Sequence, residues 1–149
     1  VACLVGSEMC IRDSNMNEFF SLDASTGILN WKQVVNSSLR PSIVNDFIFT
    51  VSEEGFLIVL DSKSGKIIRS TDLFDKFKIK KRKKIKPTGF VLGSKKLYLS
   101  TSTGRLLIVD IETGKTQSII KIDSEKISRP IILKQSLFVV KNNSVIKLN

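Results

Sequence analysis

The chain has 149 residues, with 24 Lys and Arg against 14 Asp and Glu, a formal net charge of +10 and 42% apolar residues. That length and composition fit one domain with a real core and carry no signature of disorder. No apolar segment approaches the roughly 18 residues that would let a helix cross a membrane.

Both cysteines, Cys3 and Cys10, fall within residues 1–14, a stretch that matches nothing later in the chain. Its part from Leu4 to Ser14, Leu-Val-Gly-Ser-Glu-Met-Cys-Ile-Arg-Asp-Ser, resembles the translated end of a sequencing adapter. Residues 1–14 are therefore read as a non-native extension and set aside. The remainder holds no cysteine and so offers neither disulfide nor thiolate chemistry. On this reading the protein's own start, with any signal peptide or lipid-anchor cysteine, lies upstream.

From residue 15 onward one frame recurs. A Gly or Asn opens a short apolar run, an aspartate ends it, and a glycine preceded by Ser or Thr stands four residues later. The frame reads Asn17 to Gly27, Gly55 to Gly65 and Gly104 to Gly114, and a fourth copy from Asn143 reaches Asn149 at the aspartate position. Runs of five or six Ile, Val, Leu and Phe suit buried strands and are too short for helices. The turn residues are Asp23, Thr26 and Gly27, then Asp61, Ser64 and Gly65, then Asp110, Thr113 and Gly114. Carboxylate and hydroxyl can accept from turn amides, and glycine takes positive φ without a Cβ clash. A second strand follows each turn, at 28–33, 66–71 and 115–120, so the repeated object is a β-hairpin.

A second regularity precedes each later hairpin. All three prolines follow a basic residue, as Arg40-Pro41, Lys86-Pro87 and Arg129-Pro130, and each opens a small apolar strand, a turn and another strand. Proline lacks an amide donor, which suits strand entry. Phe47, Phe49 and Val51 alternate with Ile48 and Thr50, the period expected of a sheet layer packed on a neighbouring sheet. Four antiparallel strands per unit of about 40–45 residues make a propeller blade. The expected fold is all-β, a partial β-propeller of about three blades in an incomplete ring. Its blades are 17–33 (the last two strands only), 39–71, 85–120 and 128–149 (the first three strands). The chain is expected to be the C-terminal fragment of a larger ring, with residues 15–149 as its propeller part.

The run Leu22-Asp23-Ala24-Ser25-Thr26-Gly27-Ile28-Leu29-Asn30-Trp31 resembles the repeat of PQQ-like, or quinoprotein-like, β-propellers. The resemblance extends over residues 17–149 and is sharpest in this first copy, since Arg69 and Ser118 occupy the later tryptophan positions. It implies that Trp31 is a blade-docking tryptophan. Two functional classes share the repeat: quinoprotein dehydrogenases, which bind pyrroloquinoline quinone and calcium, and non-enzymatic propellers such as the outer-membrane assembly lipoprotein BamB. The enzyme class needs carboxylates converging on a hard cation and planar groups sandwiching the quinone. This sequence has no histidine, lacks the vicinal cysteine pair, and has its repeat aspartates explained by turns. The expectation is a non-catalytic scaffold without catalytic, cofactor or metal residues, binding a protein partner of the envelope assembly machinery. The alternative is a fragment of a PQQ-dependent dehydrogenase. By resemblance, the setting is the periplasm or the periplasmic face of the outer membrane.

The interval from Asp61 to Asp110 is longer than the others, and most of the excess is one basic stretch. Lys76, Lys78, Lys80, Lys81, Arg82, Lys83, Lys84 and Lys86 account for eight of eleven consecutive residues. As an inter-blade connection it should project from a propeller face, with Phe77 and Ile79 letting it continue as a strand extension. Its charge suits an acidic protein partner or an anionic membrane surface ahead of nucleic acid. Phe19, Phe47, Phe49, Phe56 and Phe138 are expected to be blade-packing core, and Tyr98 to sit at a packed or rim position.

Overall fold

The computed structural model describes the backbone of residues 3–6, 9–14 and 17–148, with side chains from residue 17 onward. These residues form fifteen strands and one short helix. The chain falls into two compact units that divide between Ser70 and Thr71.

In the first unit, β1 (Cys3–Gly6), β2 (Met9–Ser14), β3 (Glu18–Asp23) and β4 (Leu29–Val34) form an antiparallel sheet in that order. The repeat frame supplies only the last two of these strands. The backbone adds two more: β2 pairs with β3 from Met9↔Asp23 to Ser14↔Glu18, so the first sheet has four strands rather than two. Left unpaired, that side of β3 would be an open row of amides and carbonyls. The second sheet takes β5 (Ser42–Val44), β6 (Phe47–Val51), β7 (Phe56–Asp61) and β8 (Ile67–Asp72), again in chain order.

Phe19, Trp31, Val35, Ile48, Ile58 and Leu60 form the apolar cluster of this unit, with Ile43 packed on it. The middle strands are buried on both faces: Ile48, Phe49, Thr50 and Val51 of β6 are all covered. The alternation of β6 therefore separates two packed faces and not an inside from an outside. Buried Thr50 is satisfied by Ser37 Oγ at 3.0 Å, and that hydroxyl donates to the Val51 carbonyl at 2.7 Å, as a polar group out of water requires. Two of the expected core aromatics are corrected. Phe47 and Phe56 are 42% and 39% exposed, because each is the first residue of its strand, at a sheet end where no neighbouring layer covers it.

The second unit has a four-stranded sheet of β9 (Pro87–Gly93), β10 (Lys96–Thr101), β11 (Arg105–Asp110) and β12 (Thr116–Lys121). A three-stranded sheet of β13 (Ile131–Leu133), β14 (Ser136–Lys141) and β15 (Ser144–Leu148) follows. Phe90, Leu97, Leu99, Leu106, Leu107, Val109 and Ile127 are fully buried here. The architecture is that of a partial β-propeller built from antiparallel sheets.

Two of the hairpin tips in the second unit are tight and left-handed. Ser94 and Lys95 have φ of +49° and +61°, and Lys134 and Gln135 have +46° and +62°. Two successive positive φ values define the turn whose twist matches its flanking strands, although none of these four is Gly or Asn.

Candidate functional site

Each repeat turn is closed around one carboxylate oxygen. Asp23 Oδ1 accepts from the Ser25 and Thr26 amides at 2.9 and 2.8 Å and from their hydroxyls at 2.6 and 2.9 Å. Asp61 Oδ1 accepts from the Ser64 amide and hydroxyl, both at 2.7 Å. Asp110 Oδ1 accepts from the same two groups of Thr113, at 2.8 and 3.0 Å. The glycine amide returns to the aspartate carbonyl in all three turns, at 2.8–2.9 Å, and Gly27, Gly65 and Gly114 share φ near +70°. Hydrogen bonds to a carboxylate favour its charged form. The Ser25 hydroxyl, followed by Thr26, lowers the Asp23 pKa to about 2. Asp61 is lowered as well, chiefly by the Ser64 hydroxyl.

The three turns differ in what lies over the glycine. A Cβ on Gly27 would meet nothing within 4 Å. At Gly65 it would fall 2.5 Å from Trp31 Cδ2 and Cε3, because the indole lies flat on that turn. Trp31 projects from β4, is 8% exposed, and donates Nε1–H to the Ser62 carbonyl at 2.8 Å. At Gly114 the neighbour is Thr71, whose Oγ1 lies 2.7 Å from the point a Cβ would occupy, and Thr116 Oγ1 donates to the Leu73 carbonyl at 3.1 Å. A threonine two positions beyond Arg69 thus takes the place that an indole takes over Gly65.

The basic stretch departs from the expected strand extension. After β8 the chain makes turns through 73–77 and then α1 (Ile79–Arg82). Its ends are pinned: Leu73, Phe74 and Ile85 are buried at 0%, 1% and 4% exposure. Phe77 meets Phe74 edge-on at 5.8 Å between centroids, and the Arg105 guanidinium lies 5.9 Å from the Phe77 ring. Arg82 folds back, donating Nη1–H to Asp72 Oδ2 at 2.6 Å and Nε–H to the Phe77 carbonyl at 3.0 Å. Between buried Phe74 and Ile85 the chain thus closes through a single helical turn, tied by Arg82, and not through a strand. Arg82 is consequently half-buried and structural, and Lys76 donates to the Gln117 carbonyl at 3.4 Å. Lys78, Lys80, Lys81, Lys83, Lys84 and Lys86 are exposed.

Among the described residues, no group of three or more carboxylate, thiol or imidazole side chains is placed to hold a metal ion. An open cleft of about 420 Å³ is lined by Gly93, Tyr98, Ile132, Gln135 and Leu137 among others. Tyr98 lines it half-buried, and no carboxylate is among its described lining residues. No described helix is long and apolar enough to cross a membrane.

Residues 3–71 match the family model of the outer membrane protein assembly factor BamB. No curated protein matches the chain. Among solved structures, BamB from Moraxella catarrhalis superposes with a TM-score of 0.74 at 17% identity, covering 99% of this chain and 44% of that one. The computationally designed protein Ika4 gives 0.77 at 11% identity, covering 98% and 88%. A europium-containing methanol dehydrogenase gives 0.60 at 19% identity, covering 78% and 23%. The chain therefore spans less than half the length of the BamB structure it resembles.

Proposed function

Taking the chain as a PQQ-like β-propeller repeat protein, we propose that it is a non-catalytic scaffold. It presents its inter-strand loops to a protein partner in outer-membrane protein assembly, at the periplasmic side of the outer membrane. The observation that carries this reading is the closure of the repeat turns. Asp23, Asp61 and Asp110 each spend Oδ1 on their own turn amide and hydroxyl, so the recurrent carboxylates serve the fold and are not turned toward a common cation. The match of residues 3–71 to the BamB model supports the choice of setting. The alternative, a piece of a PQQ-dependent dehydrogenase, has the fold likeness to the methanol dehydrogenase in its favour.

Two titrations separate these readings. The full chain, titrated by biolayer interferometry against the periplasmic portion of an outer-membrane assembly complex, is expected to bind saturably with Kd below about 10 μM. No saturable signal up to about 100 μM refutes the scaffold reading. Pyrroloquinoline quinone with calcium is expected to leave the emission of Trp31, the chain's single tryptophan, without a saturable change. Stoichiometric quenching would favour the dehydrogenase.

A further inference from the structure

The scaffold reading leaves the lysines of 78–86 unused, and their surroundings carry an inference that does not depend on it. Lys78, Lys80, Lys81, Lys83, Lys84 and Lys86 are all exposed. None takes part in an ion pair among the described residues. Within them sits Ile79, 77% exposed and the most exposed of the large apolar side chains described. The segment is held from behind by buried Leu73, Phe74 and Ile85 and by the Arg82–Asp72 pair. We propose that residues 78–86 form a docking surface for an anionic phospholipid membrane, in which the lysine ammoniums meet headgroup phosphates and Ile79 enters the acyl boundary.

Three features select a lipid surface over other polyanions. The stretch's one guanidinium, the group that reads phosphate or carboxylate with directional paired bonds, is committed to Asp72. What remains are mobile point charges, which suit a fluid array of headgroups better than a fixed acidic epitope. Residues 78–86 hold no aromatic ring, and Phe77 beside them is half-buried against Phe74 and Arg105, so this surface offers no exposed ring for the base stacking that single-stranded nucleic acid uses. An exposed isoleucine ringed by lysines gains nothing from a polyanion's charges, whereas a bilayer interface accepts the apolar side chain and the ammoniums at once.

The test is vesicle flotation of the full chain with phosphatidylcholine vesicles, with and without about 30 mol% phosphatidylglycerol. Binding is expected only with the anionic lipid, weakening as salt rises. Each lysine near such a surface is worth about fivefold in affinity. The combined variant Lys80→Gln, Lys81→Gln, Lys83→Gln and Lys84→Gln should therefore bind at least about 100-fold more weakly. Its melting temperature should be unchanged, since all four side chains point into solvent. A charge-matched variant elsewhere in the same unit, Lys121→Gln, Lys126→Gln, Lys134→Gln and Lys147→Gln, should lose less than about fivefold. Ile79→Ser should lose about tenfold at constant charge. Equal binding to pure phosphatidylcholine, retained binding by the first variant or an equal loss in the second overturns the proposal. So does tighter binding to single-stranded RNA or to polyglutamate than to vesicles at the same salt. An unchanged affinity for Ile79→Ser overturns the insertion of that side chain.

Discussion

Adding a single methyl group to each of two glycines separates backbone strain from packing within one molecule. Gly27 and Gly65 occupy the same position of the repeat with φ of +71° and +69°. Either replacement by alanine costs about 1–2 kcal/mol for holding an L-residue in the left-handed region. At Gly27 nothing else changes, because the new Cβ has no neighbour within 4 Å. At Gly65 the Cβ would lie 2.5 Å from two indole carbons, so Trp31 must move. Moving it breaks the 2.8 Å bond to the Ser62 carbonyl, worth about 1 kcal/mol. It also disturbs the packing of a side chain that is 8% exposed, for which complete removal would cost about 3–5 kcal/mol. Gly65→Ala should therefore exceed Gly27→Ala by about 2–4 kcal/mol. Urea unfolding followed by Trp31 emission measures both. In a Trp31→Ala background, read by circular dichroism, the excess should vanish. Two variants within about 0.5 kcal/mol of one another would refute the account.

Three further outcomes follow from the same geometry. The Asp23 carboxyl, followed by carbon NMR, should titrate near pH 2 and Asp61 below its usual value of 3.8. Because both folded-state values are depressed, their contribution to stability is present above the unfolded carboxylate range and is lost as pH falls from about 4 toward 2. Replacing Lys134 by Asn together with Gln135→Gly should stabilise the chain by about 0.5–1 kcal/mol, since two residues with φ of +46° and +62° give way to the pair that favours this turn; a lower urea midpoint would contradict it. Arg82→Ala removes the anchors to Asp72 and Phe77 and should speed amide hydrogen exchange at Lys81, Arg82, Lys84 and Ile85 several-fold, with unchanged exchange counting against the anchoring role.

The repeat turns were legible because their chemistry is local: aspartate, hydroxyl and glycine within five residues specify the bonds that Asp23, Asp61 and Asp110 make. The seat of Trp31 was only half legible. The motif marks the indole, but that it lies on Gly65 and caps the Ser62 carbonyl depends on the stacking of two sheets, which no spacing in the chain records. The same non-local cause hides the substitution of Thr71 at Gly114. The strands at Cys3–Gly6 and Met9–Ser14 lie outside the repeat frame and were not visible to it. The helix at Ile79–Arg82 was obscured by composition: alternating Lys, Phe and Ile has the period of a strand, while the bonds that tie Arg82 back to Asp72 and the Phe77 carbonyl have no signature in that alternation. Phe47 and Phe56 show that a strand's first residue can carry core chemistry and still face solvent.

Every sheet described here is built from strands in unbroken chain order, with none borrowed from elsewhere in the sequence. A nascent chain leaving the ribosome can thus zip up each sheet from hairpins already at hand, before the next has been synthesised. The same economy bears on how such a chain lengthens or shortens over generations. The gain or loss of one whole sheet adds or removes an entire ladder, and severs no strand-pairing hydrogen bond in the sheets that remain.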